Sequence, residues 1–246
     1  MAAGREKVSA CTNNRMKADP VIKVCGIQSL PEAFNSIAAG ANTLGFLMGL
    51  THKAEDRIDE GKAAFIIARL PASVRTVMVT HLFDADKIID IAQKTGVSAI
   101  QVHDDLPIEG MTKLRQQLPK IELIKAVHVT GPEAVEKAKL YEAHADFLLL
   151  DSRTADRLGG TGMTHDWNLS RKIVHMSSIP VVLAGGLTPE NVATAIQTVR
   201  PAGIDANSGL EDTHGIKDPA KVSAFAAQGR ALLARPEVSK RSSSVD

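Results

Sequence analysis

Eight short apolar runs recur along this chain: VIKVC (21–25), TLGFLM (43–48), VRTVMV (74–79), VSAIQV (97–102), IELIKAV (121–127), DFLLLD (146–151), IPVVLA (179–184) and AGIDA (202–206). Between most of them lie stretches of helix length, such as SLPEAFNSIAAGA and DADKIIDIAQKTG, in which Ala, Ile and Leu return every three or four residues. That is the period of a helix with one buried face. Strand followed by helix, repeated, requires parallel strands joined by right-handed crossovers. Eight such units close into a (β/α)8 TIM barrel, an α/β fold in one domain. A doubly wound open sheet is the alternative. The count of eight, with no second zone of different composition, favours the barrel.

Local signals agree with the alternation. Asp84 precedes ADKII as an N-cap, and Thr188-Pro189-Glu190 reads as cap, first-turn proline and first-turn carboxylate. Gly40 and Gly96 stand where helices should stop. The barrel is expected over residues 20–232, between flexible tails at 1–19 and 233–246 that are polar and lack periodicity.

Composition narrows the function. With 44% hydrophobic residues among 246, a full barrel core is available. A formal charge of +1 gives no electrostatic footprint for nucleic acid or an anionic membrane, and 3% aromatics give no base-stacking surface. No apolar run reaches the length of a membrane span, and the first residues lack the apolar centre of a signal peptide. The expected compartment is therefore the cytoplasm. Two cysteines, Cys11 and Cys25, do not make a disulfide framework.

In this barrel, chemistry sits at the C-terminal ends of the strands. Cys25 ends the first run and Asp151 the sixth, so both would face one mouth. Each has a plainer reading: a lone cysteine is commonly a small buried hydrophobe, and an aspartate after a strand is commonly a helix cap. The glycines shift the balance. GGTG (159–162), AGGL (184–187) and NSGLE (207–211) follow the sixth, seventh and eighth runs. Glycine lets backbone N–H groups approach an anion closely, and the last two loops of this barrel are its usual phosphate site. Three such turns converging on one mouth point to a phosphorylated ligand held by Gly160, Gly162, Gly185, Gly186, Asn207, Ser208 and Gly209.

With these residues in hand, the chain resembles the phosphoribosylanthranilate isomerase family of tryptophan biosynthesis over about residues 21–230. The likeness rests on KVCGI (23–27), GANTLGF (40–46), AIQVH (99–103), IKAV (124–127), LLLDS (148–152), GGTGMTHDW (159–167), VVLAGGLTPENV (181–192) and DANSGLED (205–212). It implies an Amadori rearrangement of a phosphoribosylamine of anthranilate, with Asp151 as general acid, Cys25 as general base, and Arg57 and Asp205 on the substrate. It implies no metal or organic cofactor, and a protein that acts as monomer or homodimer. The family's Ser-Pro-Arg-like segment after the second strand becomes MGLTHKAEDRID (48–59), where Arg57 is the best match in a longer loop. Met163 stands for a lysine, Thr80-His81 for Val-Asn, Asp104 for a glycine, and Asn207 for a commoner serine.

These departures motivate a second reading, a diverged paralogue acting on another phosphoribosylamine or pentose phosphate. A third is a sugar-phosphate-binding barrel without catalysis, which would need neither Cys25 nor Asp151. His52, His81, His103 and His128 fall near strand ends without the i, i+4 spacing of a helical metal site, so an exposed or structural role is expected for them. Trp167 is expected to pack the loop after the sixth strand.

Overall fold

The alternation is realised strand by strand in a computed structural model, which describes residues 19–51, 53–152 and 166–233. The strands are β1 (Val21–Val24), β2 (Thr43–Leu47), β3 (Arg75–Thr80), β4 (Ala99–Val102), β5 (Glu122–His128), β6 (Phe147–Asp151), β7 (Val181–Leu183) and β8 (Gly203–Ala206). The helices are α1 (Leu30–Ala38), α2 (Glu60–Ile67), α3 (Ala85–Thr95), α4 (Ile108–Gln117), α5 (Glu133–Glu142), α6 (Trp167–Met176), α7 (Val192–Val199) and α8 (Pro219–Leu233). An open sheet would leave β1 and β8 as edges. Instead Val21, Ile22, Lys23 and Val24 pair in parallel with Gly203, Ile204, Asp205 and Ala206, closing the barrel in chain order.

Caps set the helix ends. The Asp84 carboxylate accepts from the N–H groups of Asp86 and Lys87, and Gly96 ends α3 in the left-handed region at φ 70°. Thr188 caps as expected, but Pro189 and Glu190 form a turn and the regular helix α7 starts only at Val192. Asn191 explains the shift. Its side chain accepts from the Thr188 N–H at 2.9 Å and donates to the Gly186 carbonyl at 2.8 Å. The helix entry is thereby tied to the glycine turn after β7, while Thr188 Oγ1 still accepts from the Glu190 N–H at 3.2 Å and its carbonyl from the Val192 N–H at 3.0 Å.

Alternate residues of each strand face opposite ways, so the sheet separates two apolar shells. Ile22, Val24, Leu44, Phe46, Met78, Ile100, Leu148 and Leu150 pack outward with helix residues such as Ile88, Ile66, Val192 and Phe225. Val21, Cys25, Val77, Val79, Ala99, Ile124, Ala126, Phe147, Leu149 and Val182 fill the barrel interior. The interior register therefore runs 21-23-25 on β1, 99-101-103 from β4, 124-126-128 on β5, 147-149-151 on β6 and 203-205-207 from β8. Everything at the top of that register meets at the mouth. No helix among the described residues is long and apolar enough to cross a membrane.

Candidate active site

Cys25 follows the last residue of β1, and its N–H is still held by the Ala206 carbonyl at 2.9 Å. Its side chain is buried and turns into the mouth. Gly45 on β2 makes the room: a Cβ there would lie 2.7 Å from Cys25 Sγ and 3.1 Å from Lys23 Nζ. Lys23 is 1% exposed and forms an ion pair with Asp205 at 2.7 Å across the β1–β8 seam. Its ammonium and the Cys25 sulfur both border the space over Gly45. Burial pushes the Cys25 thiol up to about 11; Lys23 opposes that, while Asp205 and Asp56 reinforce it.

Asp151 ends β6. Its Oδ1 accepts from the Ser152 N–H at 2.8 Å, and its Oδ2 lies 3.5 Å from His103 Nε2. Burial pushes this carboxyl up to about 7, and the negative charge of Asp205 adds to the rise. The group thus holds a proton about half the time at neutral pH, the condition a general acid needs. Gly185 presses against it from β7: a Cβ there would sit 2.8 Å from Asp151 Oδ1 and 2.3 Å from the Ser152 nitrogen.

The other expected residues are distributed as follows. Asp205 Oδ2 is taken by Lys23, while its Oδ1 is buried without a hydrogen-bond partner among the described residues. Gly185 and Gly186 both adopt positive φ, 81° and 67°. A Cβ on Gly209 would strike the Leu187 carbonyl at 2.1 Å, so the turns after β7 and β8 are packed together and glycine holds them there. Ser208 opens a 3₁₀ turn, Ser208–Leu210. The Asn207 side chain donates to Asp56 and accepts from Lys217, each at 2.6 Å, which leaves only its backbone for a ligand. Arg57 bridges Leu47 in parallel, extending the β2 wall at the mouth, with its side chain exposed. Gly160, Gly162, Met163 and His52 lie outside the described residues.

The histidines lie closer together than their sequence positions indicate. His81 and His128 are buried, and with His103 they form an arc over the ends of β3, β4 and β5, with ring centroids 4.7 and 5.0 Å apart. His81 Nδ1 meets Asp104 at 3.0 Å. Ligating atoms of His103, His128 and Asp151 lie within 4.8 Å of one another. The test for i, i+4 spacing addresses helices and does not reach side chains gathered from three strand ends. The Gln101 amide nitrogen lies 3.1 Å from His103 Nδ1. Donation there leaves the proton of the neutral ring on Nε2, aimed at Asp151. Strand parity was the signal: Gln101 and His103 share the inward face of β4. Trp167 opens α6 and packs against the outer shell; the loop after β6 that it is expected to pack lies outside the described residues.

Comparison with known proteins identifies the family. Residues 22–228 match the family model described as N-(5'phosphoribosyl)anthranilate (PRA) isomerase. The chain is 43% identical to N-(5'-phosphoribosyl)anthranilate isomerase 2 of Methanosarcina mazei, covering 83% of this chain and 91% of that one. It is 37% identical to the isomerase of Methanocella arvoryzae, covering 85% and 97%. The crystal structure of phosphoribosyl anthranilate isomerase from Thermotoga maritima superposes with a TM-score of 0.78 at 34% identity, covering 87% of this chain and all of that one. A phosphoribosyl anthranilate isomerase in complex with reduced 1-(o-carboxyphenylamino)-1-deoxyribulose 5-phosphate superposes with a TM-score of 0.74 at 32% identity, again covering 87% and 100%. A barrel closed in this order, a family model matched over residues 22–228 and this similarity over nearly its whole length together mean that the chain belongs to the phosphoribosylanthranilate isomerase family.

Proposed function

We propose that Cys25 and Asp151 are the base and the acid with which this enzyme isomerises N-(5-phosphoribosyl)anthranilate to 1-(2-carboxyphenylamino)-1-deoxyribulose 5-phosphate in tryptophan biosynthesis. The observation that supports the assignment best is their shared mouth: one group beyond β1 and buried, the other at the end of β6 and half-buried. The Asp151 carboxyl gives its proton to the furanose ring oxygen. The C1–O bond breaks, and the amine lone pair forms the C1=N iminium. The Cys25 thiolate then takes the proton from C2, and that electron pair makes C1=C2 while the π pair returns to nitrogen. The enolamine so formed loses its C2 hydroxyl proton and gains one at C1, giving the ketone. The iminium acidifies the C2 proton, and its positive charge beside Cys25 favours the thiolate, offsetting the burial that holds the free thiol near 11.

The phosphate is assigned to the turns after β7 and β8, at Gly185, Gly186 and the backbone of Asn207, Ser208 and Gly209, with Gly160 and Gly162 completing the seat. The buried Asp205 Oδ1 is left to accept from a sugar hydroxyl, and Arg57 reaches the substrate from the β2 side. The substrate is then a phosphorylated sugar amine, and the working unit a monomer or a homodimer; one related structure is described as monomers generated from the dimeric Thermotoga maritima isomerase.

The function is tested by complementation: the gene is expected to restore growth without tryptophan to a strain lacking this isomerase. Growth failure with soluble protein present would favour a diverged substrate. The phosphate seat is tested separately. Gly209→Ala, by parting the two turns at Leu187, is expected to raise KM at least tenfold and to weaken competition by inorganic phosphate. If neither constant moves, the glycines serve only the turns.

A further inference from the structure

An ion pair in the interior of a barrel has no stability argument behind it. The two charges lose their hydration, and apolar side chains of the same volume commonly serve as well. Interiors of this kind are filled chiefly by Val, Ile and Leu. Lys23 and Asp205 nevertheless meet there at 2.7 Å, 1% and 7% exposed. They lie one layer below the mouth. Lys23 is two residues before Cys25 on the same face of β1, and its ammonium and the Cys25 sulfur converge on the hole left by Gly45. Asp205, on β8, lies on the shorter arc of the barrel from β1 round to β6, where Asp151 stands. Its second oxygen has no hydrogen-bond partner among the described residues.

We propose that the Lys23–Asp205 pair is a fixed dipole across the barrel floor, its positive end set against the Cys25 sulfur and its negative end toward Asp151. Lys23 is then a positioning residue for the base, and Asp205 for the acid. The inference rests on the acid and base assignments above. Its logic is directional. A base must be stabilised as an anion and an acid as a neutral group, within one small mouth. Two isolated charges of either sign would help one group and harm the other. A dipole aligned from base to acid helps both. The groups that face Cys25 are Lys23, Asp205 and, from the β2–α2 loop, Asp56; only Lys23 favours the thiolate. The groups that face Asp151 are Asp205, Lys23, His103 and His128. Asp205 favours the protonated acid, and Lys23 opposes it more weakly.

With a base that titrates near 11 and an acid near 7, the two reactive forms coexist in a small, constant fraction between those values. Below about 7 the thiolate is lost tenfold per pH unit; above about 11 the protonated acid is lost. The profile of kcat/KM is therefore expected to rise to about 7 and stay flat toward 11. The test is the pair Lys23→Met with Asp205→Leu, which leaves no orphaned charge, in a Cys11→Ser background. Alkylation of Cys25 by iodoacetamide against pH reads the thiol without reference to activity. The double variant is expected to alkylate about tenfold or more slowly at pH 9, with the upper limb of kcat/KM moved up, the lower limb moved down and the plateau lowered. The plateau should fall about tenfold for each pH unit by which the limbs separate. KM is expected to rise, because Asp205→Leu also removes the acceptor assigned to a sugar hydroxyl, so the dipole is read from the pH limbs and the alkylation rate. Lys23→Arg, which keeps the charge, is expected to recover most of the alkylation rate. An alkylation profile that superposes on that of the parent, in a variant with the same circular dichroism, overturns the dipole. Where the double variant does not fold, Asp205→Asn, which preserves size, is read for the fall of the lower limb, and a limb that stays at its original pH overturns the proposal equally. If Cys25→Ala retains activity, the base assignment fails on its own, and the alkylation result still stands for or against the dipole.

Discussion

Cys25→Ala is expected to lower kcat by on the order of 10²–10⁴ while KM changes by no more than about twofold. The split follows from what the sulfur does. It meets the C2 proton only as that proton leaves, so its loss removes an interaction made in the transition state and not in the bound substrate. Packing argues the same way. Removing Sγ empties the space over Gly45, which has no side chain to fill it. The cavity falls at the open end of the barrel, so a large loss of fold stability is not expected, and the melting temperature checks this. Cys25→Ser should also be poor, because a hydroxyl is a far weaker base than a thiol even with the Lys23 ammonium nearby. Steady-state kinetics decides: turnover near that of the parent would return Cys25 to the role of a small buried hydrophobe.

Asp151→Asn should fail at a different step. The substitution preserves size and keeps the oxygen that accepts from Ser152 N–H at 2.8 Å. It removes the proton that burial, with the help of Asp205, retains to about pH 7. Ring opening should then fall by on the order of 10²–10⁴, the usual cost of one acid–base group. The reduced open-chain product analogue has no ring to open, so the variant should bind it nearly as tightly as the parent does. Calorimetric binding of that analogue separates a lost proton from a lost shape. If affinity falls together with turnover, Asp151 serves to hold the substrate and the acid must be sought elsewhere in the mouth.

The fold was legible because each strand is buried on both faces. Such strands appear as continuous apolar runs, and their spacing reports the crossovers between them. Cys25 and Asp151 were legible because a strand end in this barrel is already an address. The ion pair was harder to see. Lys23 and Asp205 each interrupt an apolar run, which was the available signal, but they meet across 182 residues of chain, and only the register of β1 on β8 brings them together. The histidine arc was missed for a related reason. Helical spacing was tested, whereas His81, His103 and His128 gather from three neighbouring strand ends. Asn207 stands in the motif where serine is commoner, and its side chain is committed to Asp56 and Lys217, partners that no local pattern announces. The entry into α7 was displaced because Asn191 answers to the turn at Gly186, a contact between two loops rather than a property of the helix.

The separation of the two apolar shells bears on how a sequence of this kind can drift. Ile22 and Val24 look toward the helices, while Lys23 and Cys25, between and beside them, look into the barrel. Neighbouring codons thus answer to different constraints, one set to folding and the other to chemistry. Outward-facing positions are free to exchange one aliphatic residue for another, along with their helix partners, without touching the mouth. Inward-facing positions can be recruited for a new substrate while the annulus continues to hold the sheet. An ancestor that duplicated such a gene would inherit a scaffold in which innovation and durability are inherited on alternate residues.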